Sequence, residues 1–295
     1  MADEKRIGDE HIDGPTGTSF VGHEWDGIKE LDTPMPRWWL YTFYACIAFA
    51  LVMVVLYPAI PMLHGASRGT LGWTTHGELE KEMMADHDRR APTMRALATT
   101  PIEGLSGNKQ LLRTAQEGGR SAFKVYCTQC HGGGAAGGKG YPNLNDDDWL
   151  WGGKIEQIMQ TVEFGARSGH AKTHESAMLA FGRDGILKPS QIVTVANYVR
   201  SLSGLPTAAG FDAAAGGKIF AENCASCHGD AGKGNQELGA PNLTDKIWLY
   251  GSDEATLIET ITNGRSGVMP AWTGRLDPTT IKALAVYVHS LGGGQ

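Results

Sequence analysis

The sequence predicts an all-α protein in which one N-terminal transmembrane helix precedes two small helical domains in tandem. Three observations support this fold class. A run without charged residues extends from Trp38 to Leu63, the pattern C-x-x-C-H occurs twice, and the residues around the two copies form an internal repeat. The chain has 295 residues, which is enough for two compact domains and additional segments.

The uncharged run predicts a transmembrane anchor over residues 38–63. About 20 consecutive apolar residues in a helix cross the hydrocarbon core of a bilayer. Aromatic residues, which anchor spans at the membrane interface, stand at both ends of the run, and Pro58 is expected to end or kink the helix. A cleaved signal peptide is not expected, because an acidic segment rather than a short basic one precedes the run. We interpret Cys46, inside the run, as a small apolar residue without a further role.

Charge is distributed unevenly along the chain. The net charge is −6, and residues 1–37 hold nine acidic against four basic residues. This segment is therefore predicted to be an acidic tail, and the nearly neutral remainder offers no basic face for nucleic acid. Lys29 and Arg37 closely precede the anchor and only Arg68 closely follows it, which favours a cytoplasmic N-terminus.

The repeated motif reads CTQCH at residues 127–131 and CASCH at residues 224–228. Two cysteines at this spacing followed directly by histidine are typical of covalent haem c attachment, with the thiols bonded to the porphyrin and the imidazole on the iron. A zinc site or a thioredoxin-like pair is the alternative, but zinc needs four converging ligands and the adjacent histidine fits haem better. We therefore predict two covalently bound haem c groups, held through Cys127, Cys130, Cys224 and Cys227, with His131 and His228 as axial iron ligands.

The internal repeat extends well beyond the motifs. Trp149 corresponds to Trp248 at an offset of 99 residues, and the segment IVTVANYVRSLSG corresponds to IKALAVYVHSLGG near the end of the chain. The apolar spacing of these two segments is helical. Each repeat therefore predicts a helix leading into the motif, a middle helix and a C-terminal helix, the layout of a class I cytochrome c domain. The predicted domains cover 108–204 and 210–293, after a spacer over 64–107.

Methionine is the second axial ligand that suits electron transfer, because it raises the reduction potential of a histidine-bound haem. The repeat places Met178 in ESAMLAFG and Met269 in SGVMPAW at matching points between the middle and last helices. His170 and His174, in an insertion of the first repeat, are rival ligands. Whether each methionine serves the haem of its own repeat, or the two are crossed, stays open. Met159 is expected in the core.

The segment GHEWDGIKELDTPMPRWWLYTFYACI, residues 22–47, carries a family resemblance. With its tail, anchor, spacer and two repeats, the whole chain resembles the di-haem subunit III of cbb3-type cytochrome c oxidase, the CcoP/FixP family. The resemblance implies an electron-transfer subunit that takes electrons from a donor cytochrome c. Through its two haems it would pass them to a mono-haem subunit and then to a haem–copper catalytic subunit, which reduces oxygen and pumps protons.

The resemblance also implies the residues and the cellular place of this function. The eight cysteine, histidine and methionine positions of the two repeats carry over as haem-binding positions, although LAFG at residues 179–182 departs from the proline-bearing MPAW of the second repeat. The chain is expected in the bacterial inner membrane as a single-pass protein with periplasmic haem domains. Its expected partners are the other oxidase subunits, the donor cytochrome and membrane lipid. No catalytic residue is assigned, since catalysis would belong to a partner subunit.

Other functions compete with this interpretation. A membrane-anchored di-haem electron shuttle for another dehydrogenase or reductase would carry the same haems, and only the segment before the anchor argues against it. A di-haem peroxidase would need an open iron, which the two methionines disfavour, and we find no signalling module for a haem sensor. The acidic run Asp146–Asp148 either steers a basic donor or is a solvated loop or helix cap.

Overall fold

The computed structural model describes residues 12–294 and divides into two compact units, Met1–Arg89 and Arg90–Gln295. The first eleven residues, which belong to the predicted acidic tail, and the last residue lie outside the described residues. The described part is rich in helix, in agreement with the predicted class, but it also contains four short strands.

The predicted tail contains a β-hairpin in its described part. Strand β1 (Phe20–Trp25) pairs antiparallel with β2 (Ile28–Leu31). The turn residues Asp26 and Gly27 both have positive φ angles, 51° and 86°, as the tight turn of a two-residue hairpin requires. An Asp-Gly pair adopts these angles readily, so the sequence encodes this turn locally.

The predicted anchor forms helix α1 (Arg37–Leu56), which is long and apolar enough to cross a membrane. It contains 20 residues and carries no charged side chain after Arg37. At about 1.5 Å per residue they span about 30 Å, the thickness of a hydrocarbon core. The helix ends seven residues before Leu63 because Tyr57 is extended and Pro58 follows it. The strands β3 (Pro61–Met62) and β4 (Gly65–Ala66) form a second small hairpin there.

The predicted spacer is largely helical. Helix α2 (Thr75–Thr99) is followed by a short 3₁₀ helix (Ile102–Gly107). Leu97, Ile102 and Leu105 are buried against the first hydrophobic core of the second unit. The end of the spacer is therefore part of that core, and the sequence did not indicate this because α2 is mostly polar.

Eight further helices build the second unit. Each C-x-x-C-H motif lies at the end of a long helix, and the middle and last helices of each repeat occur as the repeat predicts. These helices are α3 (Lys109–Tyr126), α4 (Thr128–His131), α5 (Ile155–Phe164), α6 (Pro189–Leu202), α7 (Ala213–Asn223), α8 (Ala225–His228), α9 (Glu254–Asn263) and α10 (Pro278–His289).

The helices pack into two hydrophobic cores. Each core combines the N-terminal and middle helices of one repeat with the C-terminal helix of the other repeat. Helix α10 packs on α3 and α5, whereas α6 packs on α7 and α9. The Phe123 ring lies 5.4 Å from the Tyr287 ring in the first core, and the Phe220 ring lies 5.5 Å from the Tyr198 ring in the second.

This packing differs from the contiguous domains predicted over 108–204 and 210–293. The first core combines α3 and α5 with α10 from the end of the chain, and the second core is continuous in sequence from α6 to α9. The physical reason is the repeat itself. Tyr198 and Tyr287 occupy equivalent positions, so either C-terminal helix offers an N-terminal helix the same aromatic contact.

Candidate haem sites

Each C-x-x-C-H motif forms a helical turn at a helix junction. Cys127 ends α3, and its carbonyl oxygen accepts a hydrogen bond of 2.9 Å from the backbone N–H of His131. Cys224 and His228 repeat this arrangement after α7, also at 2.9 Å. The first cysteine of each motif is half-buried and the second is exposed. The three functional side chains of a motif are therefore held on one short turn.

The two motif histidines are fixed in the tautomer that a metal ligand needs. The Nδ1 atom of His131 lies 3.0 Å from the carbonyl oxygen of Pro142, and that of His228 lies 3.0 Å from the carbonyl oxygen of Pro241. A carbonyl oxygen only accepts, so Nδ1 carries the proton and the Nε2 lone pair is left for a metal. Burial lowers the pKa of both histidines, which favours the neutral imidazole that can bind iron.

The half-buried motif cysteines have little tendency to ionise to thiolates. Burial, followed by the neighbouring motif cysteine, raises the pKa of the Cys127 and Cys224 thiols to about 11. Both thiols are therefore protonated at neutral pH. A thiolate nucleophile of the thioredoxin kind needs a lowered pKa, so this environment does not favour that alternative.

The structure brings each predicted methionine ligand to the motif of the other repeat. Met269 packs against the first core together with Cys127. Met178 packs against the second core together with Cys224. The methionines therefore follow the exchanged C-terminal helices, and the crossed arrangement is the one that the packing favours.

Equivalent backbone hydrogen bonds hold the two methionine loops. Ala166, just after α5, exchanges two bonds with Met269, at 2.9 and 3.0 Å. Arg265, just after α9, exchanges two bonds with Met178, at 2.9 and 3.3 Å. Each methionine is thus tied to the middle helix of the core in which it packs.

A glycine makes each of these close approaches possible. Gly165 and Gly264 end α5 and α9 with φ angles of 72° and 71°, which disfavour residues that carry a Cβ. A Cβ atom on Gly165 would lie 2.2 Å from the carbonyl oxygen of Met269, and one on Gly264 would lie 2.4 Å from that of Met178. The two loops therefore require glycine at these positions.

The rival histidines lie against aromatic rings beside α5. The His174 ring stacks on Trp151 at 4.2 Å, and its Nε2 atom lies 3.1 Å from the Thr161 hydroxyl oxygen. The His170 ring stacks on Phe164 at 4.8 Å. Met159 packs against the first core as expected.

Trp248 shows that the second site fits a bound polar group. Its indole N–H is buried and has no hydrogen-bond partner among the described residues, although the side chain packs in the cluster that holds Met178 and Cys224. An unpaired buried donor costs about 1–3 kcal/mol. The carboxylates of a porphyrin are suitable acceptors, so this donor fits haem. The equivalent Trp149 donates instead to the carbonyl oxygen of Gly293.

Loops of the two candidate haem sites contact each other, and the sequence analysis did not identify the residues involved. Trp151 lies directly against Gly239, and Tyr250 lies against Gly140. These pairs are equivalent at the repeat offset of 99 residues, which is the signal that could have identified them. The guanidinium of Arg265 lies 4.1 Å above the centre of the Tyr250 ring, within cation–π range. The loops place the two sites side by side.

The acidic run Asp146–Asp148 is a partly buried loop rather than a free surface patch. The backbone N–H of Asp148 donates to an Asp146 side-chain oxygen at 3.3 Å. Burial, and then the charges of Asp245, Asp146 and Asp147, raise the pKa of Asp148 to about 6. This geometry fits the loop-capping interpretation of the run.

Comparison with known proteins identifies the family of the chain and matches both repeats. The family described as cytochrome c oxidase, cbb3-type, subunit III matches residues 114–199 and 211–288, and the N-terminal domain of cytochrome oxidase-cbb3, FixP, matches residues 17–64. A FixP subunit of cbb3-type cytochrome c oxidase from Bradyrhizobium sp. (strain ORS 278) is 62% identical over 284 residues, covering 96% of this chain and 98% of the relative.

More distant relatives carry the name CcoP. The cbb3-type cytochrome c oxidase subunit CcoP of Azospirillum brasilense is 48% identical over 293 residues, with 96% of this chain and 98% of the relative covered. The CcoP subunit of Cereibacter sphaeroides is 48% identical over 276 residues, with 93% and 95% covered. These matches confirm the resemblance carried by the segment around the anchor. The chain therefore belongs to the FixP/CcoP family, the haem c-binding subunit III of cbb3-type cytochrome c oxidase.

Proposed function

We propose that this subunit relays electrons from a donor cytochrome c through two covalently bound haem c groups toward the mono-haem subunit of the oxidase. From there they would reach the haem–copper subunit, which reduces oxygen and pumps protons. When bound, haem c supplies a one-electron iron couple. The observation that carries the proposal is the presence of two equivalent hydrophobic clusters, each with the first cysteine of a C-x-x-C-H turn and one methionine packed against it.

The first site would use residues from both ends of the second unit. Cys127 and Cys130 would attach the porphyrin, and His131 would provide one iron ligand. Met269 would provide the other iron ligand, because its loop is hydrogen-bonded to Ala166 beside the first core. The proposed first haem domain therefore combines the region from α3 to α5 with the Met269 loop and α10.

The second site would be built from one continuous stretch of chain. Cys224 and Cys227 would attach the porphyrin, and His228 and Met178 would hold the iron, since Met178 packs in the cluster that contains Cys224. The indole N–H of Trp248 is available to an acceptor on the bound group. The proposed second haem domain runs from the Met178 loop to α9.

The ligand set explains why this subunit would transfer electrons rather than reduce oxygen. A histidine and a methionine that both hold the iron would leave it no open position for oxygen, and methionine would raise the reduction potential. The chain fixes both ligands through backbone-anchored loops and buried histidines. The contact of Trp151 with Gly239 and of Tyr250 with Gly140 keeps the two sites adjacent, as a relay requires.

The proposed topology follows from the position of the anchor. Helix α1 is the candidate span and holds the subunit in the bacterial inner membrane, where its apolar surface meets lipid. We place the N-terminus in the cytoplasm and both haem sites in the periplasm, where c-type haems are attached. The distribution of Lys29, Arg37 and Arg68 around the span supports this orientation.

Single-haem variants of the full-length subunit test the ligand assignment. Cys224→Ala with Cys227→Ala removes the second haem, so that the remaining spectrum reports only on the first. In this background we expect Met269→His to remove the methionine–iron charge-transfer band and to lower the reduction potential. Met178→His is the matched control and should leave both unchanged, because Met178 packs in the other core.

The reciprocal set starts from Cys127→Ala with Cys130→Ala, where only Met178→His should act. An effect of Met178→His on the first haem would contradict the crossed assignment. If the single-haem proteins do not accumulate, nuclear Overhauser contacts between the ligand methionine methyl and the thioether protons in the two-haem protein decide the question. A protein without covalent haem at either motif would contradict the proposed function itself.

A further inference from the structure

The exposed residues next to the C-x-x-C-H motif and the methionine of each candidate haem site are called its rim here. The two rims differ in charge at equivalent positions. Two residues before the first motif cysteine, the first site has Val125 and the second has Glu222. Two residues after the motif histidine, the first site has Gly133 and the second has Asp230. Val125 is 61% exposed, the Glu222 side chain is 59% exposed, and Asp230 is exposed as well. The charged positions are therefore available to a partner.

Other exposed residues around the two sites also differ in polarity. The Tyr126 ring, 43% exposed, lies 5.5 Å from the ring of Trp272 in the Met269 loop, and Val268 is 64% exposed beside Met269. The first rim therefore has exposed apolar residues both beside the C-x-x-C-H motif, at Val125 and Tyr126, and beside the methionine, at Val268. At the second rim Asn223 replaces Tyr126, and Leu179 beside Met178 is the large exposed apolar residue. The second rim therefore combines one large exposed apolar residue with two exposed acids.

The net charges of the chain segments that build the two sites differ in the same direction as the rims. The segments that build the first site, 109–164 and 268–289, contain eight basic and seven acidic residues, whereas segment 178–263 contains six basic and nine acidic residues. The second half is therefore acidic overall. Charge distributed in this way attracts a basic protein over several ångströms before contact.

We propose that a basic electron-donor protein docks at the rim of the second site, around Leu179, with its cations facing Glu222 and Asp230. Electrons would then enter through the second site, and the first site, with its apolar rim, would not receive the donor. The inference rests on the proposed electron-relay function and adds to it the point of entry. Transient partners rely on complementary charge for fast association, whereas apolar surfaces are typical of lasting interfaces.

The cations near the second rim do not cancel this charge. Lys218 forms an exposed ion pair with Glu222 at 3.9 Å, and such pairs contribute little and exchange readily. The Lys233 ammonium donates to the Thr244 hydroxyl at 2.9 Å. A lysine of the donor can therefore replace Lys218 as the partner of Glu222.

The experiment measures reduction of the purified oxidase complex by ferrous mitochondrial cytochrome c, a lysine-rich probe, in a stopped-flow instrument. Glu222→Gln combined with Asp230→Asn removes two charges from the second rim. At low ionic strength we expect the second-order rate constant to fall by about 5–30-fold, within the range of electrostatic steering. The difference should fade at high ionic strength, because salt screens exposed charges.

A matched control removes two exposed carboxylates from the first half, Glu117→Gln with Glu156→Gln, and should stay within about twofold of the unaltered complex. Binding of oxidised cytochrome c, followed by surface plasmon resonance, should weaken in the second-rim variant alone. An unchanged rate and affinity in that variant, or an equal loss in the control, would overturn the proposal. A complex that lacks covalent haem, or that a small neutral reductant fails to reduce, would refute the relay function instead.

Discussion

Gly264 gives the sharpest structural test of the crossed methionine loops. Its φ and ψ angles are 71° and 178°, a region that is nearly restricted to glycine. An added Cβ would also lie 2.4 Å from the carbonyl oxygen of Met178, a backbone atom that cannot move independently of the loop. Gly264→Ala therefore combines backbone strain with a steric clash at the methionine loop.

The expected cost of Gly264→Ala follows from these two effects. Backbone strain of this kind costs about 1–3 kcal/mol. Forcing an extra methyl group into a packed contact costs about 1–3 kcal/mol more. Together they predict a loss of about 2–6 kcal/mol, enough to open the Met178 loop at low denaturant concentrations.

Urea titration of the full-length protein in detergent measures this effect through the methionine–iron charge-transfer band. Gly274→Ala is the matched control, since Gly274 has a φ angle of 76° but no atom within 4 Å of its added Cβ. The control should lose only about 1 kcal/mol. Equal midpoints for the two variants would refute the close approach between Gly264 and Met178, and with it the crossed loop.

Two further predictions concern the stability of the second unit. Asn197 is buried, donates to Glu254 at 2.6 Å and accepts from the Ala208 N–H at 2.7 Å. Asn197→Ala should therefore lower the free energy of unfolding by about 2–3 kcal/mol in urea titrations. A change below about 0.5 kcal/mol would contradict this role. Asp148 has a pKa raised to about 6, so the folded state binds its proton more tightly than the unfolded state and stability should fall as pH rises from about 4 to 6. Asp148→Asn should remove most of this decline in thermal melts across that range, while Asp147→Asn should retain most of it, because the Asp147 charge is the smallest of the causes that raise the Asp148 pKa. Identical pH profiles for Asp148→Asn and the unaltered protein would show that Asp148 is not the group responsible.

Much of the secondary structure was predictable because its signals are local. The uncharged run marks α1, and Pro58 marks its end. The repeat offset predicts matching helices around both motifs, and the helices of the second unit occur in that order. Helix α2 and the two hairpins were not predicted, since their few apolar residues give no clear period.

The pairing of the helices was not predictable from the repeat. Phe123 and Phe220 are equivalent, as are Tyr198 and Tyr287, so both the contiguous and the exchanged packing satisfy the same aromatic contacts. The choice depends on loop geometry, such as the backbone bonds between Ala166 and Met269, which a linear pattern does not display. The same limitation kept the methionine assignment open at the level of sequence.

The most direct test of the central claim is the isolation of this subunit from its native membrane through a C-terminal tag. The measurement combines the haem spectrum, the copper content and oxygen consumption with a reduced c-type donor. The relay function predicts two covalent c haems on this chain, together with b-type haem, copper and oxidase activity in the same preparation. A chain that emerges with c-type haem alone and no oxygen consumption would contradict its role as the electron-entry subunit of the oxidase.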